Sequence, residues 1–157
     1  MLKGLNITRN YSVGRTYDEQ FNLLESIVAA SFHDTKYTIF GNYFLTEPPE
    51  FIFMAKWVSA YPSAFSDIAS TKLSVRLLKD GSNATMIVTT ESNPVIVLLI
   101  CTLVIAFIVN LLRCNNSSDI KHALVFMMYP LLVLFLDRFI KRLLVASFER
   151  DMKLSPK

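Results

Sequence analysis

Two histidines, two cysteines and four glycines are all that the 157 residues provide, and each shortage removes a class of chemistry. Cys101 lies inside an apolar run and Cys114 just beyond it, so the chain offers neither a disulfide framework nor a zinc-type spacing. Free thiols are the expected state of both. His33 stands beside Asp34 as half of a catalytic or metal pair, but no cysteine or third ligand accompanies it at a useful spacing. It reads as a helix-end surface residue, and His122 lies in a polar connector. Gly4, Gly14, Gly41 and Gly81 are isolated, which excludes a phosphate-cradling loop, and no GxSxG elbow presents a serine nucleophile. Glu47 and Glu50 flank Pro48-Pro49 and read as a solvated loop. No catalytic residue, cofactor or metal site is therefore expected, and the chain reads as non-enzymatic.

Charge is the other absence, and it is local. From Pro94 to Leu112 no residue is charged, and only Thr102 and Asn110 carry polar side-chain groups. Eighteen helical residues from Val95 span about 27 Å, close to the roughly 30 Å hydrocarbon core of a bilayer. A helix of a soluble domain rarely stays apolar on every face for this length. Residues 95–112 are expected to span a membrane. Met1–Tyr11 lacks the apolar region of a signal peptide, so targeting would fall to this span.

The net charge of +3 is unevenly placed. Residues 1–93 carry eight Lys/Arg against nine Asp/Glu, whereas residues 94–157 carry eight against four. A nucleic-acid-binding domain should show a basic surface, and the N-terminal part has no such excess. The positive charge lies beside the apolar segments, where anionic lipid headgroups would attract it.

Residues 1–93 read as a small α+β domain of order β-α-β-β-β-β. Residues 5–13 form a first strand. Asp18 opens a helix running to about Phe32, in which Phe21, Leu24, Ile27 and Val28 recur at helical steps. Lys36–Leu45 and Phe51–Val58 read as strands, the second with Phe51, Phe53, Ala55 and Trp57 on one face. Ala60–Ser70 reads as a loop. Lys72–Leu78 and Ala84–Thr90 form a hairpin turning at Asp80-Gly81, where glycine tolerates positive φ. Ser92-Asn93-Pro94 then starts the span directly, with no flexible linker.

A second apolar run, Ala123–Leu136, has fourteen residues, about 21 Å of helix. It crosses a bilayer only if the helix extends over about 120–140. Residues 94–140 are thus expected to form a transmembrane hairpin, with 141–157 a basic amphipathic tail. Two Lys/Arg lie in the connector and six after Leu136, which by the positive-inside rule places both termini in the cytoplasm. In a bacterial cell this is an inner-membrane protein with a cytosolic domain.

Candidate functional residues follow from these placements. Phe51, Phe53 and Trp57 form an aromatic face for a partner, while Ile52, Met54 and Val58 make the opposite face apolar as well. Arg138, Lys141 and Arg142 are candidates for anionic headgroups or a partner, unless the apolar face of their helix packs on the N-terminal domain. Thr102, Asn110 and Asp137 are the candidate polar residues within the membrane. The stretches Tyr61-Pro-Ser-Ala-Phe65, Ser92-Asn93-Pro94 and Phe148-Glu149-Arg150 complete a layout that resembles small bacterial membrane proteins with an N-terminal α+β domain, a two-helix hairpin and a basic tail. The resemblance implies architecture and carries over no activity or site. The expected function is an accessory or assembly subunit that joins a homo-oligomer or larger membrane complex. The alternative is a homo-oligomeric, ligand-gated effector or pore whose N-terminal domain senses a signal.

Overall fold

Thr16 and Glu19 set the first helix. The Thr16 Oγ1 accepts from the Glu19 backbone N–H at 3.4 Å, and the Glu19 carboxylate accepts from the Thr16 N–H at 3.0 Å. This reciprocal capping box opens α1 (Tyr17–Ala29) ahead of the expected start at Asp18. The backbone hydrogen bond from Thr16 holds the Glu19 carboxyl below its ordinary range. Asp18 and Glu19 occupy the first turn, where the helix dipole favours negative charge. The computed structural model describes residues 6–30, 33–56, 71–81, 83–91, 94–113 and 117–154.

Five strands surround this helix in sequence: β1 (Thr8–Thr16), β2 (Ile39–Phe44), β3 (Glu50–Ala55), β4 (Lys72–Asp80) and β5 (Asn83–Glu91). They form one antiparallel sheet of order β1-β5-β4-β3-β2, with β1 and β2 at its two edges. The α+β class and the β-α-β-β-β-β order agree with the sequence reading. Gly81 adopts φ +61° after β4, as the tight β4–β5 connection requires. The Glu47–Pro48 bond between β2 and β3 is cis. Trp57, the Ala60–Ser70 segment, Ser92-Asn93 and the Cys114–Asn116 part of the connector lie outside the described residues.

Strand register sorts the side chains. Tyr11 and Val13, Met86 and Val88, Val75 and Leu77, Phe51 and Phe53, and Ile39 share one buried face. On β2, Gly41 leaves room where a Cβ would meet the Phe53 ring at 2.7 Å. Helix α1 covers part of this face with Leu24 and Ile27. On the opposite face Ile52 and Met54 are half-buried, and Asn10 and Ser12 are exposed.

Two helices complete the chain: α2 (Pro94–Arg113) and α3 (Ser117–Met152), which pack against each other. Only three residues separate them, so they run antiparallel. Among the described residues, Pro94–Leu112 is the one stretch long and apolar enough to cross a membrane, and none of it is buried within the structure. Among the described residues, no stretch of helix α3 meets that requirement. Its fourteen-residue apolar run is too short on its own, and charged residues follow at Asp137 and Arg138.

What α3 does instead is continue. It runs for 36 residues, about 54 Å, with Pro130 accommodated inside it and no break where a span was expected to give way to a tail. Val125, Met128, Leu131, Leu132, Phe135 and Phe139 are exposed on its first part. Leu144, Val145, Phe148 and Met152 on its last part are buried in the domain core. The apolar face of the basic segment therefore packs on the sheet.

Candidate functional site

The last turns of α3 tie the two edges of the sheet together. Phe148 packs into the core, its ring tilted against that of Phe53 at 5.8 Å, and orients the helix end. On one side the Glu149 carboxylate accepts from the Arg9 guanidinium and the Tyr11 hydroxyl of β1. On the other, the Asp151 carboxylate accepts from the Thr38 N–H at 2.7 Å, the Thr38 hydroxyl at 2.8 Å and the Ile39 N–H at 3.2 Å. These groups sit at the start of β2, at the far edge from β1. Helical geometry puts residues two apart on opposite sides of the axis, which lets Glu149 and Asp151 face different strands. The result is a clasp.

Burial and the hydrogen bond to Glu149 push the Tyr11 hydroxyl up to about 12. The hydrogen bond from Tyr11 likewise raises the Arg9 guanidinium, which stays charged. After Met152 the helix closes in a Schellman motif. The Leu154 N–H donates to the Glu149 carbonyl at 2.8 Å and the Lys153 N–H to the Arg150 carbonyl at 3.1 Å. Lys153 takes φ +53°, the left-handed position usually held by glycine.

Two cavities flank the clasp. The larger, about 750 Å³, runs along β1 from Arg9 to Arg15, and its opposite wall is Glu149, Met152, Lys153 and Leu154. The smaller, about 510 Å³, lies towards α1 between Glu19, Leu23, Lys36, Tyr37 and Asp151. Arg15, Met152 and Lys153 line both. One guanidinium nitrogen of Arg15, Nη1, is shielded from solvent with no hydrogen-bond partner among the described residues. The volume is typical of ligand clefts, and the charge is basic.

No family model, curated protein or solved structure matches this chain. The site must be read from its own geometry. Among the described residues no three His, Cys, Asp or Glu side chains gather as metal ligands.

The candidates named from the sequence fall in several places. Phe51 and Phe53 are fully buried and offer no surface, because their register places them under α1 and α3. The aromatic face is the core: Phe51 stacks on Tyr43 at 4.8 Å, and Phe21 meets Phe51 edge-on at 5.6 Å. Trp57, the third of that set, lies outside the described residues. Arg138 and Arg142 are exposed on α3. Lys141 is completely buried, its Nζ 2.5 Å from Asp137 Oδ2, and so is withdrawn from headgroups. Asp137 is buried too, and its Oδ1 has no hydrogen-bond partner among the described residues. Thr102 and Asn110 donate back along α2 to the carbonyls of Leu98 at 2.9 Å and Ala106 at 2.8 Å.

Sequence reasoning missed Arg9, Tyr11, Arg15, Glu149, Asp151 and Lys153, which are the residues that build the clasp and its groove. Their charges were visible. The pairing of β1 with the chain end, about 140 residues later, was not.

Proposed function

We propose that this protein is a membrane-anchored accessory or assembly subunit whose N-terminal domain is held rigidly at the cytoplasmic face of a bilayer. One observation carries the reading: α3 is a single helix whose first part exposes Val125, Leu132 and Phe135 and whose last part lies in the domain core. A surface of that kind on two packed helices has bilayer as its natural solvent. Helix α2 supplies a full span, and the first part of α3 pairs with it to complete a hairpin. Back-bonding engages the Thr102 hydroxyl and an Asn110 amide N–H within the helix, which lowers their cost in hydrocarbon. The buried Asp137–Lys141 pair marks where α3 leaves lipid and enters protein.

The mechanism is positional. The domain is attached twice, through β5 into α2 and through the docked end of α3, so it cannot swing as on a tether. Partners would meet it in a fixed orientation. Exposed Arg138 and Arg142 then face the headgroup layer, in keeping with termini on the cytoplasmic side.

Thiol accessibility tests this reading. In a Cys114→Ser background, Cys101 on the exposed surface of α2 should resist a membrane-impermeant maleimide in bacterial membranes and react after denaturation in detergent. A cysteine at exposed Ser12 should react only once the cytoplasmic side is opened. Labelling of Cys101 in intact membranes at the rate of a free surface thiol would rule out the span.

A further inference from the structure

The larger cavity beside the clasp runs along a strand edge, and the hydrogen-bond alternation of that strand shows which backbone groups face it. The Thr90 N–H donates to the Ile7 carbonyl at 2.9 Å, which makes Ile7 and Thr90 a hydrogen-bonded pair. In an antiparallel ladder such pairs alternate. With the register unbroken to Val13, residues Arg9, Tyr11 and Val13 turn their backbone groups towards β5. Thr8, Asn10 and Ser12 turn theirs outward, where the sheet order places no further strand among the described residues. Next to them, a Cβ on Gly14 would meet nothing within 4 Å, so the sheet face at that end of β1 is uncovered.

We propose that this groove binds an extended acidic segment of a partner protein, added to the sheet as a sixth strand beside β1. Backbone groups of Asn10 and Ser12 supply the ladder, as in other cases of strand addition. Charge complementarity selects the occupant. The Glu149 carboxylate is already engaged by Arg9 and Tyr11. Arg15, whose Nη1 lacks a partner among the described residues, and exposed Lys153 are the groove charges for an incoming carboxylate to meet. Lys153 also occupies a left-handed position that glycine fills without strain, and there its side chain lines the groove. Long edge strands are usually blunted by charge or a bulge to prevent promiscuous pairing. Here the shift of register after Val13 and the wall of α3 confine the opening to a short segment. The proposal deepens the reading of the domain as a recruiting module, but it does not depend on membrane insertion. Thiol mapping and peptide binding therefore fail separately.

The test uses the full chain in detergent with a fluorescein-labelled, N-acetylated and C-amidated peptide, Glu-Val-Glu-Val-Glu-Thr, and its Lys-for-Glu counterpart. The acidic peptide should bind and the basic one should not. Amide hydrogen exchange at Asn10 and Ser12 should slow when the acidic peptide is present. Ser12→Pro removes an outward N–H that β5 does not use, which an edge strand tolerates, so the variant should fold and lose at least about tenfold in affinity. Arg15→Gln and Lys153→Gln should each weaken binding by roughly two- to fivefold. Three results would overturn the proposal: no binding at millimolar peptide, unchanged affinity in a folded Ser12→Pro protein, or equal displacement by inorganic phosphate at the concentration of competing unlabelled peptide. The last would make the groove a simple anion site.

Discussion

Tyr11 shows how one side chain can join a core to a clasp. Its ring lies in the sheet face and its hydroxyl reaches Glu149, a residue 138 positions away in sequence. Burial, and secondly that hydrogen bond, raise its pKa from 10.0 to about 12. The folded chain thus holds the phenolic proton more tightly than the unfolded chain does. The resulting stabilisation is present in full below pH 10 and is lost as pH rises towards 12. Tyr11→Phe should therefore lower stability by about 1 kcal/mol at pH 8. The gap from wild type should narrow between pH 10 and 12, as measured by denaturant titration in detergent. A gap that is constant across that range would mean that the hydroxyl is not held as described. At this scale the sequence is least informative. Tyr11 was visible only as a residue on a strand, because its partner is fixed by tertiary packing and leaves no local spacing to read.

Elements were legible where a local rule governs them. Period-two alternation and Asp80-Gly81 give the β4–β5 hairpin, and uninterrupted hydropathy gives α2. The start of α1 was also legible in principle, since Thr16-x-x-Glu19 is the spacing of a capping box, but Asp18 is an equally acceptable cap and competes with it. In α3 the apolar stripe Leu144, Val145, Phe148 could be read as amphipathic, while its destination could not. The same stripe suits a headgroup layer and a sheet. What separates the two is Lys141. A lysine on the apolar stripe cannot reach headgroups once the helix docks, and the aspartate one turn earlier pairs with it inside the protein. Removing one member leaves a buried charge, so Asp137→Leu and Lys141→Met alone should each lower stability by about 3–5 kcal/mol. The double variant should recover most of that loss, because two apolar side chains can replace a buried pair at little net change. A double-mutant cycle by thermal unfolding in detergent reads this coupling. Additive losses would show that the two side chains do not depend on each other.

For the whole molecule, the boundary at residue 93 is where sequence and structure part most clearly. Composition changes sharply there, from mixed polar residues to an unbroken apolar run, and a compositional break is the ordinary sign of a domain end. The core does not respect it. Leu144, Val145, Phe148 and Met152 belong to the same buried cluster as Phe53 and Leu24. Each such side chain contributes about 1.5–3 kcal/mol when fully buried, while a small domain retains only about 5–15 kcal/mol in total. Residues 1–93 alone should therefore lack enough buried surface to fold. Expressed as a soluble fragment, they should show the exposed apolar surface and missing near-ultraviolet dichroism of a loosely packed chain. Joining residues 138–154 to that fragment through a flexible Gly/Ser linker, with α2 and the first part of α3 removed, should restore cooperative unfolding. A cooperatively folded 1–93 fragment would show that the end of α3 merely rests on a finished domain. Restoration by residues 138–154 would establish that the chain closes its N-terminal domain only after passing through both apolar helical segments, which makes the clasp a late step in assembly and fixes the domain to the helix pair from the moment it forms.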